Sequence, residues 1–262
     1  MTVVTLLDAA HAAVSARPDD ETARLRFYER LADGEMFLLL EHEPEAEVLD
    51  PKVFDLEDGP VVLVFDREER LAEFSGGIAP YAALPGRVIA GMLKGQGIGL
   101  GVNLGVAPSG MLLPAEAMDW LAEALEGGPE EVEAAPVEVL APSVPEAVVA
   151  GLDAKLAKAG GLATAAVLAG VVYADGRRGH MLAFLDALAG SEAALAGAVR
   201  EALVFSGVEA GELDVSFVTA EAPVALAMAK VGLRFDLAVA EAPVVLAPAA
   251  PGSDPARPPK LR

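Results

Sequence analysis

The chain has 262 residues, which is enough for one large domain or for two domains of ordinary size. Hydrophobic residues make up 53% of it and aromatic residues only 5%, so its core must be built from Ala, Val and Leu. The formal net charge of −21 repels nucleic acid phosphates and anionic lipid surfaces. Because the sequence shows no basic patch of useful size, we expect neither nucleic acid nor a membrane as a partner.

The charge is uneven along the chain. Residues 1–130 hold 24 acidic against 9 basic residues, and the remainder holds 16 against 10. Such an acidic surface provides solubility, and it is also suited to docking a basic partner. The absence of cysteine excludes thiol catalysis, persulfide carriage, thiolate metal sites and disulfides. We see no signal peptide and no apolar run long enough for a transmembrane helix, and therefore expect a cytoplasmic protein.

The first half of the chain predicts alternating helices and strands. Apolar spacing and terminal signals predict helices at 2–14, 20–33, 66–74, 81–94 and 114–125. In the helix predicted at 81–94, the chain is expected to enter through Pro85, near the amino terminus. Short apolar runs predict strands at 35–41, 53–57, 61–65 and 97–102. The segment from Pro44 to Pro51 is an acidic loop, and 105–110 is a turn-rich loop.

The second half predicts a similar mixture. Residues 129–145 are rich in Glu, Ala and Pro and fit either a linker or an edge strand at 137–140. A helix at 145–159 precedes two apolar runs, 165–174 and 180–188, which an Asp-Gly turn joins into a predicted β-hairpin. Ser191 is predicted to cap a helix that ends at Phe205. A strand at 212–218, a helix at 223–231 and a strand at 233–239 complete this half.

These elements predict a mixed α/β protein of the α+β class with two small domains, each a mixed sheet flanked by helices. The predicted domains are residues 1–130 and 145–247, with a linker at 131–144. Residues 248–262 are rich in Pro, Ala, Gly and basic side chains and are predicted to be a disordered tail.

Four features of the first half resemble the SseB family. They are the strand end Phe65-Asp66, the helix Arg67 to Phe74, the Gly-Leu-Gly-Val-Asn103 strand and the Pro114 to Leu125 helix. The family's usual Thr before Asp66 is missing, and Leu104 stands where Pro is usual. The second half resembles the family's carboxy-terminal domain in its order of elements. The resemblance covers roughly residues 20–240 and implies small α/β or α+β modules without an agreed biochemical activity. The sulfur transfer sometimes linked to the family fails here, since a persulfide carrier needs a cysteine thiolate.

No catalytic motif is visible. The glycines at 95–101 do not give Gly-x-Gly-x-x-Gly and do not lie between a strand and a helix, so close strand packing explains them better. Glu41, His42 and Glu43 alternate along a strand and do not converge on a metal, which favours a solvated acidic loop. His11 and His180 lack a Ser or carboxylate partner at a meaningful spacing. We therefore expect no cofactor and no metal.

Five residues remain as candidates for binding. Ligands of open α/β sheets collect beyond the carboxyl ends of the strands, which directs attention to Tyr81, Asn103 and Ser109. Asn103 is better explained as a residue that caps a turn, because asparagine is frequent there. Arg177 and Arg178 at the hairpin tip are suited to an anion or an acidic partner, or are simply a solvated turn.

The sequence thus favours a non-enzymatic cytoplasmic interaction or regulatory protein of the SseB type that binds a protein partner through an acidic surface. The alternative is a small-ligand binder or an enzyme with a site near the 103–110 loop.

Overall fold

The computed structural model describes residues 4–43, 49–126, 135–207 and 213–237. Within these ranges the chain forms eight α-helices and eleven β-strands in two mixed sheets. The predicted α+β class, with two sheets flanked by helices, is confirmed. Residues 44–48 of the acidic loop, residues 127–134 and the predicted tail 248–262 lie outside the described ranges.

The first sheet belongs to the first half of the chain. Its strands are β1 (Glu35–Leu39), β2 (Val53–Leu56), β3 (Gly59–Phe65), β4 (Tyr81–Pro85), β5 (Gly99–Val102) and β6 (Met111–Leu113). The helices are α1 (Leu6–Ala16), α2 (Glu21–Asp33), α3 (Glu68–Ser75), α4 (Gly86–Leu93) and α5 (Ala115–Glu126). The strand order is β4-β1-β3-β5-β6, and β2 also pairs with β3. Only β3 and β5 run parallel in this order, with Val61 opposite Gly99 and Val64 opposite Val102, so their carboxyl ends share one edge.

The two faces of the first sheet are covered unequally. Apolar residues from α1, α2, α4 and α5 form one large core with one face, centred on side chains such as Leu31, Met36 and Val64. The other face carries a smaller cluster in which α3 contributes Leu71 against Phe65. Successive side chains of a strand point to opposite faces, and the inequality arises because four helices cover the first face and only α3 contributes to the second.

The second sheet belongs to the second half. It contains β7 (Pro136–Leu140), β8 (Ala165–Tyr173), β9 (Arg178–Leu185), β10 (Leu213–Val218) and β11 (Leu233–Asp236) in the order β10-β9-β8-β11, with β7 also on β8. The helices are α6 (Glu146–Leu156), α7 (Glu192–Val204) and α8 (Pro223–Val231). The predicted hairpin is β8-β9. Residues 137–140, for which the sequence predicts either a linker or an edge strand, are part of β7. α6 and α7 cover one face and α8 the other.

Three sequence predictions need correction. Residues 81–85 are a strand rather than the first turn and a half of a helix, because Ala82 and Leu84 alternate toward the large core while Tyr81 points to the other face. The short strand β6 was not predicted. Ser191 precedes α7 as predicted, but its hydroxyl makes no cap hydrogen bond to the helix and donates instead to the Leu188 carbonyl at 2.7 Å.

The two halves are in contact. Phe205, which follows α7, packs into the large core of the first half, with its ring centroid 6.4 Å from that of Trp120. The Arg200 guanidinium donates to the carbonyl oxygen of Ala124 at 2.9 Å. The two halves therefore share a packed junction, which α5 and α7 form. The predicted domain boundaries themselves remain predictions.

Candidate functional site

The shared carboxyl edge of β3 and β5 holds two polar residues. Asp66 follows β3 and Asn103 follows β5, so the parallel pairing brings them together. The backbone amide of Asp66 donates to Asn103 Oδ1 at 3.1 Å, and the backbone amide of Asn103 donates to the Val64 carbonyl at 2.9 Å. Asn103 adopts a φ of 48°, a left-handed conformation that asparagine tolerates better than most residues. It therefore terminates β5 and joins the two strand ends.

The loop after β5 is tied to α1 through buried side chains. Asn103 Nδ2 donates to Ser109 Oγ at 2.9 Å, and the Ser109 hydroxyl donates to Asp8 Oδ1 at 2.5 Å. Asn103 and Ser109 are both 0% exposed. These two predicted binding residues are therefore brought together, but inside the protein, where they position the loop.

A buried arginine completes this network. Arg70 of α3 places its guanidinium nitrogens 2.5 Å from Asp8 and 2.7 Å from Asp66. Thr5 donates its hydroxyl to Asp66 at 2.6 Å and caps α1 reciprocally with Asp8. We call these six residues the strand-edge network (Thr5, Asp8, Asp66, Arg70, Asn103, Ser109).

The surroundings of Asp8 in the strand-edge network keep its carboxylate ionised. Burial by itself raises the pKa of Asp8, but hydrogen bonds from Arg70, Ser109 and the Thr5 amide outweigh it and bring this pKa well below its usual range. Among the described residues, no buried side-chain nitrogen or oxygen lacks a hydrogen-bond partner. A carboxylate held ionised in this way is poorly suited to general acid or base catalysis near neutral pH.

A cleft of about 300 Å³ opens beside the strand-edge network. Both halves of the chain line it, since Lys158 follows α6 while the other residues come from the first half. The lining residues are Thr5, Leu6, Leu7, Arg30, Asp33, Gly34, Glu35, Met36, Asp66 and Lys158. Asp66 is committed to Arg70, and Lys158 lies 2.8 Å from Asp33. The described residues offer Arg30 no ion pair, so its guanidinium is the cation of this cleft that remains available to a ligand.

The cleft borders a partly buried cluster of charges between the halves. Lys155 of α6 lies 2.8 Å from both Asp33 and Glu201, and Arg87 of α4 contacts the same two carboxylates at 2.5 and 2.9 Å. Burial raises the pKa of Asp33, but hydrogen bonds from Lys155 and Lys158 bring it down to about 2. Together with Glu29, 3.7 Å from Lys155, these residues form what we call the junction cluster (Glu29, Asp33, Arg87, Lys155, Lys158, Glu201).

Residues 7–120 match the model of the SseB protein N-terminal domain. This part of the chain is similar to the SseB N-terminal domain, and we refer to residues 7–120 as the SseB domain. The predicted family is thereby confirmed for the first half, and the resemblance of the second half to the family's carboxy-terminal domain remains a prediction. Neither a curated protein nor a solved structure matches the chain. In the parts of the chain that the structure describes, no helix has the length and apolarity needed to cross a membrane.

Most of the strand-edge network lies inside the SseB domain. Asp8, Asp66, Arg70, Asn103 and Ser109 all fall within the matched range. Sequence reasoning identified Asn103 and Ser109 but missed Asp8 and Arg70. Two signals were present for them: the Thr-x-x-Asp spacing of Thr5 and Asp8, and the i,i+4 spacing of Asp66 and Arg70.

Tyr81 lies elsewhere in the SseB domain. It opens β4 opposite Leu39, and its ring centroid is 5.5 Å from that of Phe37. It belongs to the smaller core cluster, which also contains Leu104 and Val106 from the loop after β5. Tyr81 is thus near the apolar side of the predicted 103–110 site, on the sheet face opposite the large core.

The two hairpin arginines lie outside the SseB domain and have different surroundings. Arg177 stacks over the Tyr173 ring at 4.1 Å and lies 3.4 Å from Asp214. Tyr173 also donates its hydroxyl to Asp214, and burial with this carboxylate raises the pKa of Tyr173 strongly. Arg178 opens β9 and is exposed. The structure does not bring either arginine to Tyr81, Asn103 or Ser109.

One corner of the SseB domain is strongly acidic. The end of β1, the return of the chain to β2 and the β2-β3 turn expose six carboxylates, which we call the acidic corner (Glu41, Glu43, Asp50, Asp55, Glu57, Asp58). Its one described lysine, Lys52, lies 3.2 Å from Glu41. The described residues contain no group of three or more His, Asp or Glu side chains placed to hold a metal ion.

Proposed function

We propose that this protein is a non-enzymatic, cytoplasmic interaction or regulatory protein of the SseB type, and that it binds a protein partner through its acidic surface. The observation that carries the proposal is the acidic corner. Six exposed carboxylates lie there on and beside an edge strand, and the one described lysine of the corner contacts only Glu41 among them.

The geometry of the acidic corner supports partner binding. β2 pairs with β3 through residues 53–56, and no described strand pairs with its other edge. Val53 and Leu56 on this strand are 48% and 43% exposed. The two side chains point to opposite faces of the strand, and each lies next to a carboxylate in the sequence, Val53 near Asp55 and Leu56 between Asp55 and Glu57. Exposed apolar groups among carboxylates are suited to a basic protein surface, because opposite charges steer the encounter and apolar contact adds affinity. Nucleic acid is disfavoured by the same charges.

The buried carboxylates outside the acidic corner form internal ion pairs, which also favours an interaction protein. The carboxylates of the strand-edge network and the junction cluster are paired with Arg70, Lys155 and Arg87. These pairs stabilise the fold. In the acidic corner, by contrast, Asp55, Glu57 and Asp58 are exposed and have no ion pair among the described residues, and a binding surface is the function that such charge supports best.

The test is capture of partners from native lysate by the full chain at low and high salt, with identification by mass spectrometry. We expect a near-stoichiometric basic partner that high salt releases, since screening weakens contacts between exposed charges. A variant with Asp55→Asn, Glu57→Gln and Asp58→Asn is expected to lose the partner. The matched control neutralises three exposed acids elsewhere, through Glu116→Gln, Glu123→Gln and Asp153→Asn, and is expected to retain it. Equal capture by both variants would contradict the proposal.

The cleft beside the strand-edge network favours a second candidate, a small-ligand binder or an enzyme with a site near the 103–110 loop. Asn103 and Ser109 would then position the loop, while Arg30 contacts an anionic group of the ligand. A metabolite that raises the melting temperature of the parent chain but not of an Arg30→Ala variant would support this candidate. Turnover of that metabolite by the purified protein would overturn the non-enzymatic function.

A further inference from the structure

A second cleft of about 280 Å³ lies in the other half of the molecule. It lies between the turn end of the β8-β9 hairpin and the segment that connects β7 to α6. Its lining residues are Leu140, Ala141, Ser143, Gly170, Val171, Arg178, Gly179 and His180. None of them carries a carboxylate, in a chain with 40 acidic and 19 basic residues.

Glycine keeps this cleft open. Gly170 of β8 lies opposite His180 of β9 in the sheet. A Cβ atom at position 170 would lie 3.0 Å from the carbonyl oxygen of Ala141 and 3.4 Å from Leu140 Cβ. The missing side chain leaves room between the sheet and the overlying segment, whereas a larger residue would fill it.

The polar groups of the cleft are hydrogen-bond donors. Arg178 and His180 project from the same face of β9, because they are two residues apart on one strand. His180 Nε2 accepts a hydrogen bond from the Ser143 amide at 3.2 Å, which leaves the ring proton of a neutral imidazole on Nδ1. The Ser143 hydroxyl is exposed at the same rim. Within the described residues Arg178 has no ion pair, and Glu138, on β7 across β8, does not contact it.

We propose that this cleft binds a small oxyanion, the phosphate or carboxylate group of a small molecule. A guanidinium binds either group through two parallel hydrogen bonds, and His180 and Ser143 supply further donors. The site lies in the opposite half from the acidic corner and has the opposite electrostatic preference. It is therefore independent of the proposed partner surface.

The experiment is a titration of the full chain with inorganic phosphate and, in parallel, with succinate, followed by calorimetry and by amide NMR shifts. We expect saturable binding of one of the two, with shifts centred on residues 141–143 and 178–180. The stronger ligand identifies the group that the site prefers. Arg178→Ala is expected to weaken binding about tenfold or more, as loss of a charge-assisted hydrogen bond requires.

The matched control is Lys230→Ala, which removes an exposed lysine of α8 that has no ion pair among the described residues. It is expected to leave the affinity unchanged. Ser143→Ala, at an exposed position, provides a second variant that leaves the sheet intact and is expected to weaken binding as well. Failure of both anions to saturate, or equal weakening by the Arg178 and Lys230 variants, would overturn the proposal.

Discussion

Lys155 of α6 places its ammonium group 2.8 Å from the carboxylate of Asp33 at the end of α2, across the junction of the two halves. The lysine side chain is only 5% exposed, and it also contacts Glu201 and Glu29. Buried charges in the junction cluster are therefore tolerated because each has a partner of opposite sign. Removing one partner leaves an uncompensated buried charge, which costs more than the pair itself contributes.

Lys155→Met is expected to lower the free energy of unfolding by about 3–5 kcal/mol. Methionine retains most of the apolar stem, but Asp33, Glu29 and Glu201 lose the cation that they share. Urea denaturation followed by circular dichroism measures the change.

Lys158→Met is the matched control. Lys158 contacts the same carboxylate at 2.8 Å but has a side chain that is 53% exposed, so solvent screens the pair. We expect a loss of about 1 kcal/mol or less. If the two variants lose equal stability, the junction does not depend on buried charge.

Acid is expected to destabilise the protein through Asp33. The pKa of Asp33 falls from an ordinary 3.8 to about 2 in the folded state. A group with a lowered folded pKa contributes stability that is present above its unfolded pKa and lost as the pH falls through its folded pKa. Between pH 4 and pH 2 the protein should therefore lose about 2 kcal/mol from this group.

Asp33→Asn tests this assignment. The variant is expected to be less stable at pH 7, and its free energy of unfolding should change less between pH 4 and pH 2. Asp8 and Glu201 also have lowered pKa values, so part of the acid sensitivity remains. Glu123→Gln, at an exposed position, is the control. A pH dependence in the Asp33 variant equal to that of the parent would rule out Asp33 as a source.

The sequence predicts most elements of this fold but few of its polar contacts. Helices such as α2 and α8 were visible because an apolar stripe and end signals coincide, as with Asp20 before α2 and Gly232 after α8. The strand β4 was read as helix because its alternation is only five residues long and ends in a proline that also suits a helix start.

The polar contacts of the candidate site are even harder to predict from the sequence than the fold. Asn103 could be identified because strand ends are informative positions. Its partner Ser109, however, donates to Asp8, which is 101 residues away from this serine in the chain, and the burial of the pair depends on how α1 packs. The junction cluster pairs residues more than 100 positions apart, such as Asp33 and Lys155. Local patterns do not encode such pairings, since tertiary packing decides them.

Two glycines of α4 give a contrast in packing. A Cβ atom at Gly86 would lie 1.9 Å from the carbonyl oxygen of Leu31 in α2, whereas a Cβ atom at Gly91 meets nothing within 4 Å. Gly86→Ala is therefore expected to lower the free energy of unfolding by about 1–3 kcal/mol or more, because backbone atoms must separate. Gly91→Ala is expected to raise it by up to about 1 kcal/mol, since alanine favours helix.

Thermal and urea denaturation of both variants measures these changes. The two residues share one helix and receive the same methyl group. Gly86 is the first residue of α4, where helix propensity contributes less than inside the helix, so a loss of stability at Gly86 reports the contact between α2 and α4. Equal stability of the two variants would show that α2 and α4 are not packed as closely as Gly86 requires.

Asn103 is expected to act through both its side chain and its backbone conformation. Asn103→Ala removes the acceptor of the buried Asp66 amide and the donor to Ser109, and it places a β-carbon at a φ of 48°. Loss of buried hydrogen bonds costs about 1–3 kcal/mol, and the left-handed conformation of alanine adds to it. Asn103→Gly loses the same hydrogen bonds but accepts this φ without strain.

The comparison of the two variants by urea denaturation separates these effects. We expect both to be less stable than the parent, with the glycine variant the more stable of the two by about 1 kcal/mol, because glycine adopts the left-handed conformation readily. If the glycine variant is no more stable than the alanine variant, backbone strain is not a component. If neither loses stability, the strand-edge network does not hold the loop after β5.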